Sequence, residues 1–85
     1  MFEEGQMYTI RYQSQSGNYR WYEYIVTMKY IGEDQFGNLL FSLRPLAGTQ
    51  SMRPEKITDV MKVDDTVPPK FPRRIGEVKK DSVSS

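Results

Sequence analysis

The stretch Phe41-Ser-Leu-Arg-Pro-Leu-Ala-Gly-Thr-Gln-Ser-Met-Arg-Pro-Glu-Lys-Ile-Thr-Asp-Val-Met-Lys-Val63 decides the fold. Leu39, Phe41 and Leu43 alternate with other residues, the period-two signature of a strand with one face buried. Pro45 stops that strand, because proline has no N–H to give to a ladder. Thr49–Arg53 reads as a short fourth strand. Pro54-Glu-Lys-Ile57 reads as one helical turn with proline at its first position. Thr58–Val63 reads as a further strand. Strand, turn, strand, helical turn, strand is the second half of a small five-stranded barrel.

Upstream, Gln6–Gln13 alternates, with Tyr8, Ile10 and Tyr12 on one face and Met7, Thr9 and Arg11 on the other. Tyr19–Ile31 is a long β-prone run carrying Tyr22, Tyr24, Val26, Met28 and Tyr30 on one face. A three-residue loop, Gln15-Ser-Gly17, with Gly17 left-handed, sets Ile10 opposite Tyr22, Tyr8 opposite Tyr24 and Arg11 opposite Trp21. A four-residue loop, Glu33–Phe36, sets Tyr30 opposite Leu39, Met28 opposite Phe41 and Val26 opposite Leu43. For the third hairpin, the fourth strand is expected to place Met52 opposite Leu43 and to send Arg44 and Arg53 outward. Both of the first two loops put apolar on apolar, whereas a slip of one residue reverses every face. The second strand is long for a sheet of this size, so a bend that lets both halves serve a closed barrel is expected.

The fold class expected is therefore all-β: residues 1–63 as a barrel, residues 64–85 as a flexible tail. Val67-Pro-Pro-Lys-Phe-Pro-Arg-Arg74 favours extended polyproline geometry, and Ile75–Ser85 is mostly polar, which argues disorder. That tail could also drape over the outward Ile25 and Leu40. A folded part of about sixty residues buries only about 60% of its unfolded surface. Eleven aromatic residues help such a small core, because each ring buries much area.

Composition removes several functions. With no Cys and no His, zinc sites of the usual kind are absent; a carboxylate-only magnesium or calcium site stays open, although no acidic spacing matches an EF-hand loop. No nucleophile elbow, glycine-rich phosphate loop or cofactor motif is present. Nothing places two carboxylates in an apolar cleft where a pKa would move. A binding protein without catalysis or cofactor is expected. No apolar run reaches the length of a membrane span and no leader is evident, which makes the cytoplasm the default location. Residues 1–63 balance seven basic against seven acidic side chains. Residues 68–80 carry Lys70, Arg73, Arg74, Lys79 and Lys80 against Glu77, so attraction for nucleic acid sits mostly in the tail.

The candidate ligand-binding residues are Arg11, Tyr19, Arg20, Trp21, Arg44, Arg53 and Lys56, with Lys70, Arg73 and Arg74 as tail contacts. An indole beside a guanidinium, as expected for Trp21 and Arg11, can stack a base or anchor a protein interface; the plain alternative is a structural cation–π pair. Tyr19, Arg20, Arg44, Arg53 and Lys56 can form a basic rim in which arginine clamps phosphate, or simply a solvated surface. Tyr8, Tyr12, Tyr22, Tyr24 and Tyr30 read as core with hydroxyls reaching the ends of the barrel. The segment Pro68-Pro-Lys-Phe-Pro-Arg-Arg74 is similar to proline-rich peptide ligands, and also to ordinary linkers.

The arrangement is similar to SH3-like and Sm-like barrels. More narrowly it resembles WYL domains, in Tyr8-Thr-Ile-Arg-Tyr12, in Ser16-Gly-Asn-Tyr-Arg20 and in Arg53-Pro-Glu-Lys-Ile57. Leu40-Phe-Ser-Leu43 stands where those domains carry their Trp-Tyr-Leu signature. The resemblance covers about residues 7–63 and implies binding of nucleic acid or a nucleotide-like ligand through outward arginine and aromatic side chains. A second reading is a protein-interaction module, in the style of small phage proteins that bind and block a host complex. Exposed strand edges also leave self-assembly open. The sequence does not choose among these partners.

Overall fold

The computed structural model of the 85-residue chain describes residues 2–15, 17 and 19–78. These form an antiparallel β structure with a single 3-10 turn. The elements are β1 (Met7–Gln15), β2 (Trp21–Glu33), β3 (Leu39–Ser42), β4 (Thr49–Met52), the turn Pro54–Lys56, β5 (Ile57–Val63) and β6 (Lys70–Val78). The hydrogen-bonded path runs β4-β3-β2-β1-β5, and β6 joins β2. Strands β4 and β5 thus end the path, with the 3-10 turn between them in the chain and no ladder joining them among the described residues.

The expectation of five strands and a disordered segment from residue 64 is corrected: Lys70–Val78 pairs antiparallel with β2. Residues 79–85, and with them Lys79 and Lys80, lie outside the described residues. The thirteen residues of β2 do serve two neighbours. One edge pairs with β1 from Trp21 to Lys29. The other meets β6 from Trp21 to Thr27 and β3 from Lys29 to Glu33. The register interruption beside Gly32, a buried glycine at φ 139°, marks a bulge that re-aims the end of the strand.

The core lies against the second half of β2. Ile10, Val26, Met28, Leu39, Phe41 and Leu43 are buried, with Tyr8 and Tyr30 beside them. Phe2 closes one end, its ring 4.9 Å from Tyr8, 5.2 Å from Tyr30 and 5.5 Å from Phe41. Gly5 N–H donates to the Tyr30 carbonyl at 2.8 Å, which fixes that lead-in segment. Burial raises the pKa of the Tyr30 phenol, and the carboxylates of Glu33 and Glu4 and the neighbouring Tyr8 add to the rise.

The first and third expected hairpin registers are off by four residues and the second by two as far as Tyr30, even shifts that keep the faces; past the bulge at Gly32 the second is off by three. Ile10 pairs with Val26 rather than Tyr22, and Tyr8 with Met28 rather than Tyr24. Tyr30 pairs with Phe41, and Met52 with Leu39 rather than Leu43. The physical reason in the first hairpin is the loop. Gly17 does not take the left-handed conformation; Tyr19 does, at φ 67°, and the strands stop at Gln15 and Trp21. The result fills the core with aliphatic side chains and moves Tyr22 and Tyr24 to the rim, where phenol hydroxyls find partners or water.

Candidate functional site

The inward faces of β1 and β2 outrun the core. Beyond Ile10 and Val26 they carry Tyr12, Ser14, Tyr22 and Tyr24, all half-buried. Tyr12 and Tyr24 are direct partners across the ladder, and their rings stack at 5.5 Å with 17° between planes. Burial, and next the neighbouring Tyr24, raise the Tyr12 phenol above its ordinary value. Strand β6 brings Arg74 onto this face. Its guanidinium lies 3.9 Å from the ring centre of Tyr22 and 5.9 Å from that of Tyr24, and one of its N–H groups donates to the Tyr24 hydroxyl at 3.4 Å.

Tyr12 also lines a cleft of about 400 Å³. The floor reaches Val26 and Met28. Asn38, Gln50 and Ser51 supply polar walls, Arg53 and Lys56 stand on the side of β4 and the 3-10 turn, and Pro72 of β6 stands opposite. The volume falls in the range of small-ligand sites, about 300–1,000 Å³. Arg53 and Asn38 also border a more open depression of about 540 Å³ lined by Phe36 and Pro54. Phe36 is 78% exposed. Arg53 thus borders both hollows, the one lined by Tyr12 and the one lined by Phe36.

The candidate residues divide into separate groups. Arg53 and Lys56 meet at the cleft, and Arg74 is on the same inward face. The expected partnership of Arg11 with Trp21 is corrected: Arg11 stands opposite Ile25 and Trp21 opposite Gln15. Both do lie on the outward face. Arg11 instead forms an ion pair with Glu23 at 3.3 Å, while Trp21 is half-buried with Val78 as its ladder neighbour on β6. Lys70 and Arg73 are on that outward face too, opposite Thr27 and Ile25, and border a small recess of about 190 Å³ with Thr9 and Phe71. Part of the tail thus does lie against Ile25, as a strand. Tyr19, 84% exposed, and Arg20, 4.0 Å from Glu77, stand at the β1–β2 loop. Arg44 is exposed in the β3–β4 turn, its N–H donating to the Ser42 hydroxyl at 3.3 Å. Of the expected rim residues, Arg53 and Lys56 line the cleft, and Tyr19, Arg20 and Arg44 are not among its lining residues.

Sequence reasoning did not place Phe36, Asn38, Gln50 and Ser51 at a site. Phe36 and Asn38 were visible only as turn residues, and Gln50 and Ser51 only as members of a short strand. Among the described residues no group of three His, Cys, Asp or Glu is placed to hold a metal ion, and no helix is long and apolar enough to cross a membrane. Comparison with protein-family models, with curated proteins and with solved structures finds no match.

Proposed function

We propose that this chain is a non-enzymatic binding module of SH3-like barrel type, distantly similar to WYL domains, that takes single nucleotides or nucleic acid at the cleft beside Tyr12. The 3-10 turn that links β4 to β5 would bring the two ends of the sheet path together in such a barrel. The observation that carries the reading is the meeting of Tyr12, Arg53 and Lys56 around a cavity with polar walls. Arginine and lysine at the mouth suit phosphate, arginine by paired hydrogen bonds. Asn38, Gln50 and Ser51 offer both donors and acceptors to a base edge. Tyr12 and Phe36 offer ring faces, and base–aromatic stacking contributes about 1–3 kcal/mol per base.

Fluorescence anisotropy with labelled oligonucleotides tests this. Binding at low salt that weakens steeply as salt rises is expected, because phosphate contacts release counterions. Arg53→Glu together with Lys56→Glu should weaken it at least tenfold, while Arg11→Glu on the opposite face changes it little. Absence of binding by wild type at low salt overturns the reading.

A second reading is a protein-interaction module, of the kind by which a small phage protein engages a host complex. It is favoured by the exposed apolar side chains Met61 on β5 and Phe71 on β6, beside strand edges with no partner strand among the described residues. A complex that survives nuclease and high salt would separate it from the first.

A further inference from the structure

Strand β6 is held in an unusual way. Every residue from Lys70 to Glu77 is exposed, and none belongs to the core cluster. Its pairing with β2 is interrupted twice, between Glu23 and Tyr24 and between Ile25 and Thr27. Phe71 and Ile75 remain on the surface at 54% and 42% exposure. The ion pair Glu77–Arg20 is long and exposed, and such pairs contribute little. Against this, Arg74 is seated on the tyrosines with a ring contact and a hydrogen bond. Among the described residues, ladder bonds and the placement of Arg74 on Tyr22 and Tyr24 hold the strand.

We propose that the edge of β2 from Trp21 to Thr27 is a docking edge for an extended, arginine-bearing segment of a partner protein, with β6 as its built-in occupant. This rests on the second reading above and gives that reading a surface and a partner chemistry. An added strand gains affinity from main-chain hydrogen bonds and specificity from pockets for alternate side chains. Both are here. Tyr22 and Tyr24 stand two residues apart on one face of β2, so they form one seat at a fixed register. That seat takes a planar cation: a guanidinium stacks on a ring and donates to its hydroxyl, whereas an ammonium is a compact, strongly hydrated charge that does not stack. On the other face, Phe71 forms one wall of a recess whose other walls include Thr9, Ile25 and Thr27. The bulge between Ile25 and Thr27 sets the spacing. The segment that fits therefore has an aromatic residue three positions before its arginine, as Phe71 stands before Arg74. The own strand is tethered, which gives it an effective concentration of about millimolar order, so an outside segment has to displace it.

A fluorescent peptide copying residues 68–78 tests this against the full-length chain. Wild type should bind it weakly, because β6 occupies the edge. The full-length Arg74→Glu variant, whose own strand loses the guanidinium contacts with Tyr22 and Tyr24, should bind at least tenfold more tightly. A peptide with alanine at the place of Arg74 should lose at least tenfold, and Tyr24→Ala in the Arg74→Glu chain should abolish the gain. Hydrogen exchange at those amides of residues 21–27 that donate to β6 rather than to β1 should quicken in Arg74→Glu and slow again when peptide is added. Opened amides without peptide binding overturn the proposal, and so do amides that stay protected, since the arginine seat then does not hold the strand. A nuclease-resistant protein complex formed without any peptide binding would sink the edge and leave the second reading standing.

Discussion

The two halves of β2 are built on different physics. From Val26 to Tyr30 its inward side chains are buried among Ile10, Leu39 and Phe41, and from Lys29 on β3 covers its second edge. From Trp21 to Ile25 the inward side chains are half-exposed tyrosines, and the second edge is covered by a strand with no buried residue. One half is fixed by apolar area removed from water. The other is fixed by backbone pairing, a tyrosine stack and a guanidinium. Hydrophobic burial is cooperative and dense, while a ladder with little side-chain support opens locally at lower cost. A small domain with this division has one densely packed end and one end that opens more readily.

The strongest way to break that contrast is to truncate one side chain in each half. Phe41 is fully buried, and Phe2 and Tyr30 pack on it. Phe41→Ala should cost about 3–5 kcal/mol, against a total stability of about 5–15 kcal/mol for a domain. Urea unfolding should show a midpoint shifted far down or no folded baseline. Phe71→Ala, in β6, should leave the midpoint nearly unchanged. Equal losses would mean that β6 belongs to the same cooperative unit as the core.

A smaller effect is expected where β2 passes from one half to the bulge before β3. Gly32 is buried at φ 139°, a conformation that side-chain-bearing residues rarely adopt, although a Cβ there would meet only Glu4 at an ordinary 3.6 Å. Gly32→Ala should therefore cost backbone strain rather than overpacking, about 1–3 kcal/mol. Thermal unfolding reads this, and a shift as large as that of Phe41→Ala would show that packing, not φ, is at stake. Smaller again is Arg74→Ala, which removes a solvent-exposed cation–π contact and should leave the global midpoint nearly unchanged. Its main readout is local: amides of residues 21–25 should exchange faster, with those of residues 28–30 unchanged.

The same division explains what the sequence revealed. Strands β1 to β3 announce themselves by alternation, because each buries one face in the core, while β4, the turn at Pro54 and β5 follow from the flanking prolines, with only Met52 and Ile57 packed at the core's margin. Inward and outward faces were legible from Ile10, Val26 and Phe41 even though the pairing partners were not. Patterning fixes parity, while the exact partner depends on loop geometry such as the positive φ of Tyr19. Strand β6 left no such trace. Pro72 in its middle and the lack of alternation from Lys70 to Val78 read as an extended linker, and proline is tolerated there only because the strand is an irregular edge. Arg74 could not be assigned to the tyrosines without that strand. The cleft joins Tyr12 on β1, Asn38 before β3 and Lys56 before β5, distant positions that no spacing rule connects.

The finest test concerns the turn at the densely packed end. Asp34 closes the β2–β3 hairpin: one carboxylate oxygen accepts from the N–H of Phe36 at 2.8 Å and of Asn38 at 2.9 Å, the other from the Asn38 side-chain amide at 3.1 Å. Desolvation works to raise its pKa, but the hydrogen bonds from Asn38, Phe36 and Gly37 outweigh it and hold the group below its ordinary value. The folded chain thus binds fewer protons at Asp34 than the unfolded chain as acid is added. This contribution to stability is complete above the ordinary carboxylate range and disappears as pH falls through the lowered folded value, below about pH 4. Asp34→Asn preserves the shape and one acceptor oxygen but cannot titrate. Denaturant midpoints of the two chains should differ modestly at neutral pH and converge on acidification. A difference that stays constant with pH would mean that the carboxylate's charge adds nothing to the turn, and that the densely packed end, too, is shaped there by backbone geometry alone.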